Sequence, residues 1–108
     1  MGTVISPDGR FEWDNDKNIL NKKDHGFLFE EILCVFDDPF FLEAYDRDNS
    51  SCNEDRWKGI ASIDKRIYFF ISYTEQEDRI RIISARLAES LEKERYNENC
   101  QKQITGYE

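Results

Sequence analysis

Three arginines stand close together in "RIRIISAR", at positions 79, 81 and 86. Successive strand residues point to opposite faces, so Arg79 and Arg81 share one face while Ile80 and Ile82 take the other. Tyr73 ends the strand expected to pair with this one, Ser84 sits near Arg86, and Arg56 opens the preceding strand of the same hairpin. Taken singly, each arginine reads as an exposed strand residue paired with a nearby acid. Taken together, guanidinium groups converging on one end of a sheet suit a phosphodiester, because their planar donors match phosphate oxygens two at a time. The lone histidine, His25, precedes Gly26 at the end of an expected helix and is the candidate general base or acid. No second histidine lies at metal-ligand spacing, and Cys34, Cys52 and Cys100 form no Cys-x-x-Cys pair. The chemistry expected is therefore free of metal and cofactor.

The rest of the chain must position these groups. It has 108 residues, a formal net charge of -8, 39% hydrophobic and 14% aromatic residues, which predicts one packed domain over residues 1–108. That acidity counts against a free-standing DNA-binding protein, since groove binding draws on a broad basic surface. It suits a basic protein partner better. An odd number of widely spaced cysteines points to a reducing compartment, and a cytoplasmic protein is expected. No apolar run approaches a membrane span. "MGTVIS" fits an N-myristoylation pattern but lacks a polybasic second signal, and "NSS" at Asn49 is a glycosylation sequon relevant only to a secreted chain.

Periodicity predicts the elements. Residues 1–10 read as a loose leader ending in the Pro-Asp-Gly turn, and Phe11 to Trp13 as a short strand. Asp14 should cap a helix that ends at Gly26. A second helix is expected over 28–36, stopped by "DDP". Strands follow at 40–45, 56–63, 66–74 and 79–84, with a polar loop at 46–55, the "DK" hairpin and the "EQED" turn. "IYFFISY" is apolar almost throughout and should be a central strand. Ser84 should cap a last helix from Ala85 to about Asn97, with Arg86 in its first turn and a loose tail at 98–108. The order β-α-α-β-β-β-β-α predicts an α+β domain, an antiparallel sheet with two N-terminal helices and one C-terminal helix.

Residues 11–96 resemble the BrnT family of bacterial type II toxin–antitoxin toxins, through "FEWD…K…N…HG…FEE…VFDDP", "EDRW", "SYTE" and "RIISARLA…E…Y" in family order. The resemblance implies a RelE-like fold and a metal-independent ribonuclease that inhibits growth. It further implies neutralisation by a BrnA-like ribbon–helix–helix antitoxin, in a hetero-oligomer such as two toxins with two antitoxins, which touches operator DNA only through the antitoxin. The family's functional positions fall here on His25, Arg56, Tyr73, Arg81, Ser84 and Arg86; Lys22, Lys23 and Arg79 are further candidate RNA-binding cations. The chain departs from the family pattern at Asp24, where a lysine usually precedes His-Gly, and at Gln76, where an arginine is common. Both changes remove positive charge near the expected site. The alternative is therefore a non-enzymatic, antitoxin-binding co-repressor module.

Overall fold

A computed structural model describes residues 2–105. Met1 and residues 106–108, the ends of the expected leader and tail, lie outside the described residues. Six strands form one sheet in the order β1-β2-β6-β5-β4-β3: β1 (Thr3–Ile5), β2 (Phe11–Asp14), β3 (Leu42–Tyr45), β4 (Arg56–Ile63), β5 (Ile67–Gln76) and β6 (Arg79–Leu87). Two α-helices accompany them, α1 (Asn15–His25) and α2 (Ser90–Thr105).

The local signals act as elementary chemistry requires. The Asp14 side chain accepts a hydrogen bond from the Lys17 N–H, and Gly26 ends α1 with φ of 92°, in the left-handed region. Asp64 and Lys65 both take φ of 55°, and the Arg66 N–H closes on the Ile63 carbonyl at 3.0 Å, a tight hairpin turn matched to strand twist. β5 lies between β4 and β6, in the middle of the sheet.

Several expectations are corrected. The sheet is mixed rather than antiparallel, because β2 runs parallel to β6. The leader is not loose where it is described: β1 pairs antiparallel with β2, and Gly9, with φ of 75°, turns the chain between them. The second N-terminal helix is absent as an α-helix; Phe29–Glu31 and Leu33–Asp37 are two short 3₁₀ turns. Phe29, Ile32 and Val35 are all buried, and their spacing of three is the 3₁₀ period, not the α period. The last helix begins at Ser90, not Ala85. β6 runs on to Leu87 because Phe69 and Phe70 of β5 still offer partners to Leu87 and Arg86. The Glu92 carboxylate, accepting from the Glu89 N–H at 2.7 Å, starts α2 instead of Ser84. The described part of the tail is helical to Thr105, and Cys100 is buried.

Each face of the sheet has its own cover. One face carries Phe11, Trp13, Phe69, Ile71, Tyr73, Ile82 and Ala85, packed against Phe29, Ile32 and Val35 from the 3₁₀ segment. Gly59 belongs here because a Cβ would stand 2.2 Å from the Phe41 ring that fills its place. On the other face α2 covers only one end, with Ala88, Tyr96 and Cys100 against Ile60, Tyr68 and Phe70. Its anchor is polar: the Tyr96 hydroxyl donates to Asp38 at 2.5 Å and meets the Ser62 hydroxyl at 3.0 Å. Helix α1 lies along β6 beyond the end of β2 and is held by asparagines rather than by an apolar stripe. Asn21 accepts from the Ala85 N–H at 3.1 Å and donates to the Phe27 carbonyl, while Asn18 accepts from the Phe29 N–H at 2.7 Å. Ile19 and Leu20 are left exposed.

Candidate active site

The arginines stand on the second face, Arg86 at the edge of α2 and the others on the part that α2 leaves uncovered. Strict alternation from Arg79 would send Ala85 to that face and turn Ser84 and Arg86 away. The β5–β6 register instead shifts: Ser72 pairs with Ser84 but Tyr73 pairs with Ile82, so Ile83 is an extra, bulged residue. The bulge resets the alternation. Arg79, Arg81, Ser84 and Arg86 therefore stand on one face, opposite Gln76, Thr74, Ser72 and Phe70 of β5. One strand further on, Arg56 pairs with Thr74 and Lys58 with Ser72. Arg56 and Arg81 thus flank the same threonine from either side, with backbones about 10 Å apart across two strand spacings.

Each of the four arginines already has an acid. Arg81 Nη1 donates to Glu12 at 2.5 Å and, more weakly, to the Thr3 hydroxyl at 3.4 Å; Arg79 Nη1 lies 3.9 Å from the other Glu12 oxygen. Arg56 Nε donates to Glu54 at 2.8 Å. Arg86 places both terminal nitrogens on Glu92, at 2.9 and 2.8 Å, and its guanidinium lies 4.2 Å from the centre of the Phe70 ring. The Glu92 hydrogen bonds raise the Arg86 pKa, and the same bonds hold the Glu92 carboxyl below its usual range. What differs is the edge left over. Arg81 is held by Nη1 alone, and among the described residues its Nε and Nη2 have no protein acceptor. It keeps a complete two-donor edge, the shape that grips a phosphate. Arg86 has spent its end-on fork, Nη1 and Nη2, on Glu92, which also takes the Nη2 of its side edge. Arg79 Nε is buried without a hydrogen-bond partner.

His25 stands on α1 and shares with the arginine face only Ser84, since none of the arginines lines its cleft. It is exposed, and it lines a cleft of about 240 Å³ together with Lys17, Leu20, Asn21, Asp24, Ile83 and Ser84. Lys22 and Lys23 are exposed on the same helix but do not line that cleft; Lys22 Nζ donates to the Gly26 carbonyl at 3.1 Å. Tyr73 is not brought to the arginines. It is 2% exposed on the core face, edge-on to Phe36, and its hydroxyl donates to Glu43. Burial first, and then the Glu43 hydrogen bond, push its pKa up. Arg86 stands on the strand, not in a helical first turn, so its position opposes no helix dipole.

Sequence reasoning missed Lys17, Lys58 and Glu12. Lys17, Asn21 and His25 lie at i, i+4 and i+8, the signature of one helix face. Lys58 alternates with Arg56 along β4. Glu12 carried no signal, because its partner is 69 residues away. Among the described residues no group of three or more His, Cys, Asp or Glu could hold a metal ion, and no helix is long and apolar enough to cross a membrane.

The fold and site define a class of small α+β domain whose mixed six-stranded sheet is cored on one face and carries a row of arginines on the other. The family is more particular: the chain belongs to the BrnT family, whose model, described as "Ribonuclease toxin, BrnT, of type II toxin-antitoxin system", matches residues 13–92. An antitoxin partner follows from membership of such a system. The fold is similar to the crystal structure of the Brucella abortus ribonuclease toxin, BrnT, with a TM-score of 0.53 and 22% identity over 72% of this chain and 94% of that one. Comparison with curated proteins finds no match.

Proposed function

We propose that this chain is the metal-independent endoribonuclease of its toxin–antitoxin pair, a single RelE-like domain that acts on cytoplasmic RNA and arrests growth. The observation that carries the reading is the free Nε–Nη2 edge of Arg81, on a face that it shares with Arg79 by alternation and to which the Ile83 bulge brings Ser84 and Arg86. Cleavage of RNA without a metal needs a base for the 2′-hydroxyl, cations for the charge on the phosphorane, and an acid for the departing 5′-oxygen. Arg81 takes the phosphate, with Arg56, Lys58 and Arg79 supplying field around it. His25, beside Ser84 in the cleft, exchanges the proton. The 2′-oxygen attacks phosphorus as its proton leaves, the bond to the 5′-oxygen breaks, and that oxygen takes up a proton, giving a 2′,3′-cyclic phosphate and a 5′-hydroxyl. Lys17, Lys22 and Lys23 extend the cationic track along α1.

The partner that fits is a BrnA-like ribbon–helix–helix antitoxin, because a chain of net charge -8 steers a basic protein. A complex of two toxins with two antitoxins would contact operator DNA through the antitoxin. One observation favours the co-repressor alternative: every arginine of the cluster is ion-paired, so the face is less cationic than its composition suggests.

The test is cleavage of a defined RNA by the purified chain, with and without EDTA. Cleavage should survive EDTA and fall by about a hundredfold or more in His25→Ala, whose exposed side chain leaves the core untouched. Cleavage abolished by EDTA and restored by a divalent ion would refute the mechanism. No cleavage by a folded parent that binds its antitoxin would establish the co-repressor reading instead.

A further inference from the structure

Glu12 is an acid where the chemistry calls for cations. It sits in β2 directly across from Arg81 of β6, its side chain is only 11% exposed, and it touches both Arg81 and Arg79. A carboxylate so withdrawn from water is a poor stabilising device, because desolvation of the pair offsets much of its attraction. A β-branched or aromatic residue would serve the strand better. What the carboxylate does achieve is geometric. It takes Arg81 by Nη1 alone, with the Thr3 hydroxyl as a second acceptor on the same nitrogen, and so fixes the guanidinium while leaving the Nε–Nη2 edge unpartnered.

We infer that Glu12 is a positioning residue, which acts through Arg81 by clamping its guanidinium so that the free edge meets the scissile phosphate; the inference rests on the ribonuclease reading above. Glu12 itself touches no substrate. A free arginine side chain samples many rotamers, and a donor that must be ordered during the reaction contributes less than one already in place. The negative charge weakens RNA attraction at this face, so the clamp trades affinity for order. That trade gives the inference a signature which a purely structural role lacks.

The experiment is a double-mutant cycle of the full chain: parent, Glu12→Gln, Arg81→Ala and the double variant, each assayed below its own melting temperature on a short RNA. In Glu12→Gln, kcat should fall roughly ten- to a hundredfold, while KM stays level or drops, because a negative charge has left the RNA-facing surface. In the Arg81→Ala background the same substitution should change the rate by less than about threefold, since its target is gone. Equal losses in the two backgrounds, or a Glu12→Gln protein that cleaves like the parent, would overturn the inference while leaving the ribonuclease reading intact. If Glu12→Gln melts too low to assay, Glu12→Asp carries the same expectation for kcat with KM unchanged, because it keeps the charge but draws the carboxylate back by one methylene. A parent that does not cleave refutes the ribonuclease reading, and the inference falls with it.

Discussion

Arg86→Ala separates two roles that the same arginine could hold. The guanidinium donates twice to Glu92 of α2, whose side chain is 14% exposed, and lies over the Phe70 ring. A bidentate charge-assisted pair is worth more than an ordinary surface ion pair, but a third of the Arg86 side chain is exposed, so about 1–2 kcal/mol is a fair figure after screening. The ring contact adds about 0.5–1 kcal/mol. Together the truncation should cost about 1.5–3 kcal/mol, which for a domain this small lowers Tm by roughly 6–20 °C. Circular dichroism melts of parent, Arg86→Ala, Glu92→Gln and the double variant would give the coupling, expected at about 1–2 kcal/mol. Cleavage assayed well below each melt then divides the roles. If Arg86 chiefly docks α2, Glu92→Gln should impair cleavage about as much as Arg86→Ala. An Arg86→Ala protein that melts within about 2 °C of the parent would refute the docking argument. So would a loss of cleavage in Arg86→Ala that Glu92→Gln does not share, because the arginine would then be acting on RNA directly.

Two further outcomes follow from the same geometry. Glu92 has its folded pKa depressed below 4.5, first by the Arg86 hydrogen bonds, so its stabilisation is present above that pH and is lost as the pH falls through the depressed value; the Tm gap between parent and Glu92→Gln should be widest near neutral pH and close in acid, and a gap that persists unchanged to about pH 2 would show that the pair is not its source. Tyr73→Phe should cost about 1–2 kcal/mol, because it removes a largely buried hydrogen bond to the Glu43 carboxylate, yet leave cleavage within about twofold; lost cleavage at retained stability would bring Tyr73 back into the mechanism.

Where the chain signals its structure locally, the reading and the fold agree. Asp14 and Gly26 bracket α1 because capping is settled within a few residues, and the nearly unbroken apolar run in β5 marks a strand flanked on both sides. The 3₁₀ segment misleads for a physical reason. Phe29, Ile32 and Phe36 fit a helical stripe, yet the buried set is Phe29, Ile32 and Val35, and only the floor of the sheet decides between a period of three and one nearer four. The boundary of α2 was displaced by competition of the same kind. "SARLA" can cap and start a helix, but as strand it gains the β5 ladder, and helix propensity is the weaker force.

The arginine cluster was legible as a set of residue types and illegible as a geometry. Alternation correctly put Arg79 and Arg81 together, but it would have separated them from Ser84 and Arg86. One unpaired residue, Ile83, reverses that result, and a bulge follows from how two strands twist together rather than from either sequence alone. The electrostatics were non-local as well. The partner of Arg81 comes from the other end of the chain, through a parallel pairing that the antiparallel reading did not contain. That pairing decides what the arginine can do. Held by Glu54-like neighbours on its own hairpin, Arg81 would resemble Arg56, with Nε engaged and its side edge broken. Held by Glu12 through Nη1, it keeps that edge whole, so the parallel strand β2 makes the difference between a paired surface cation and the phosphate grip we propose.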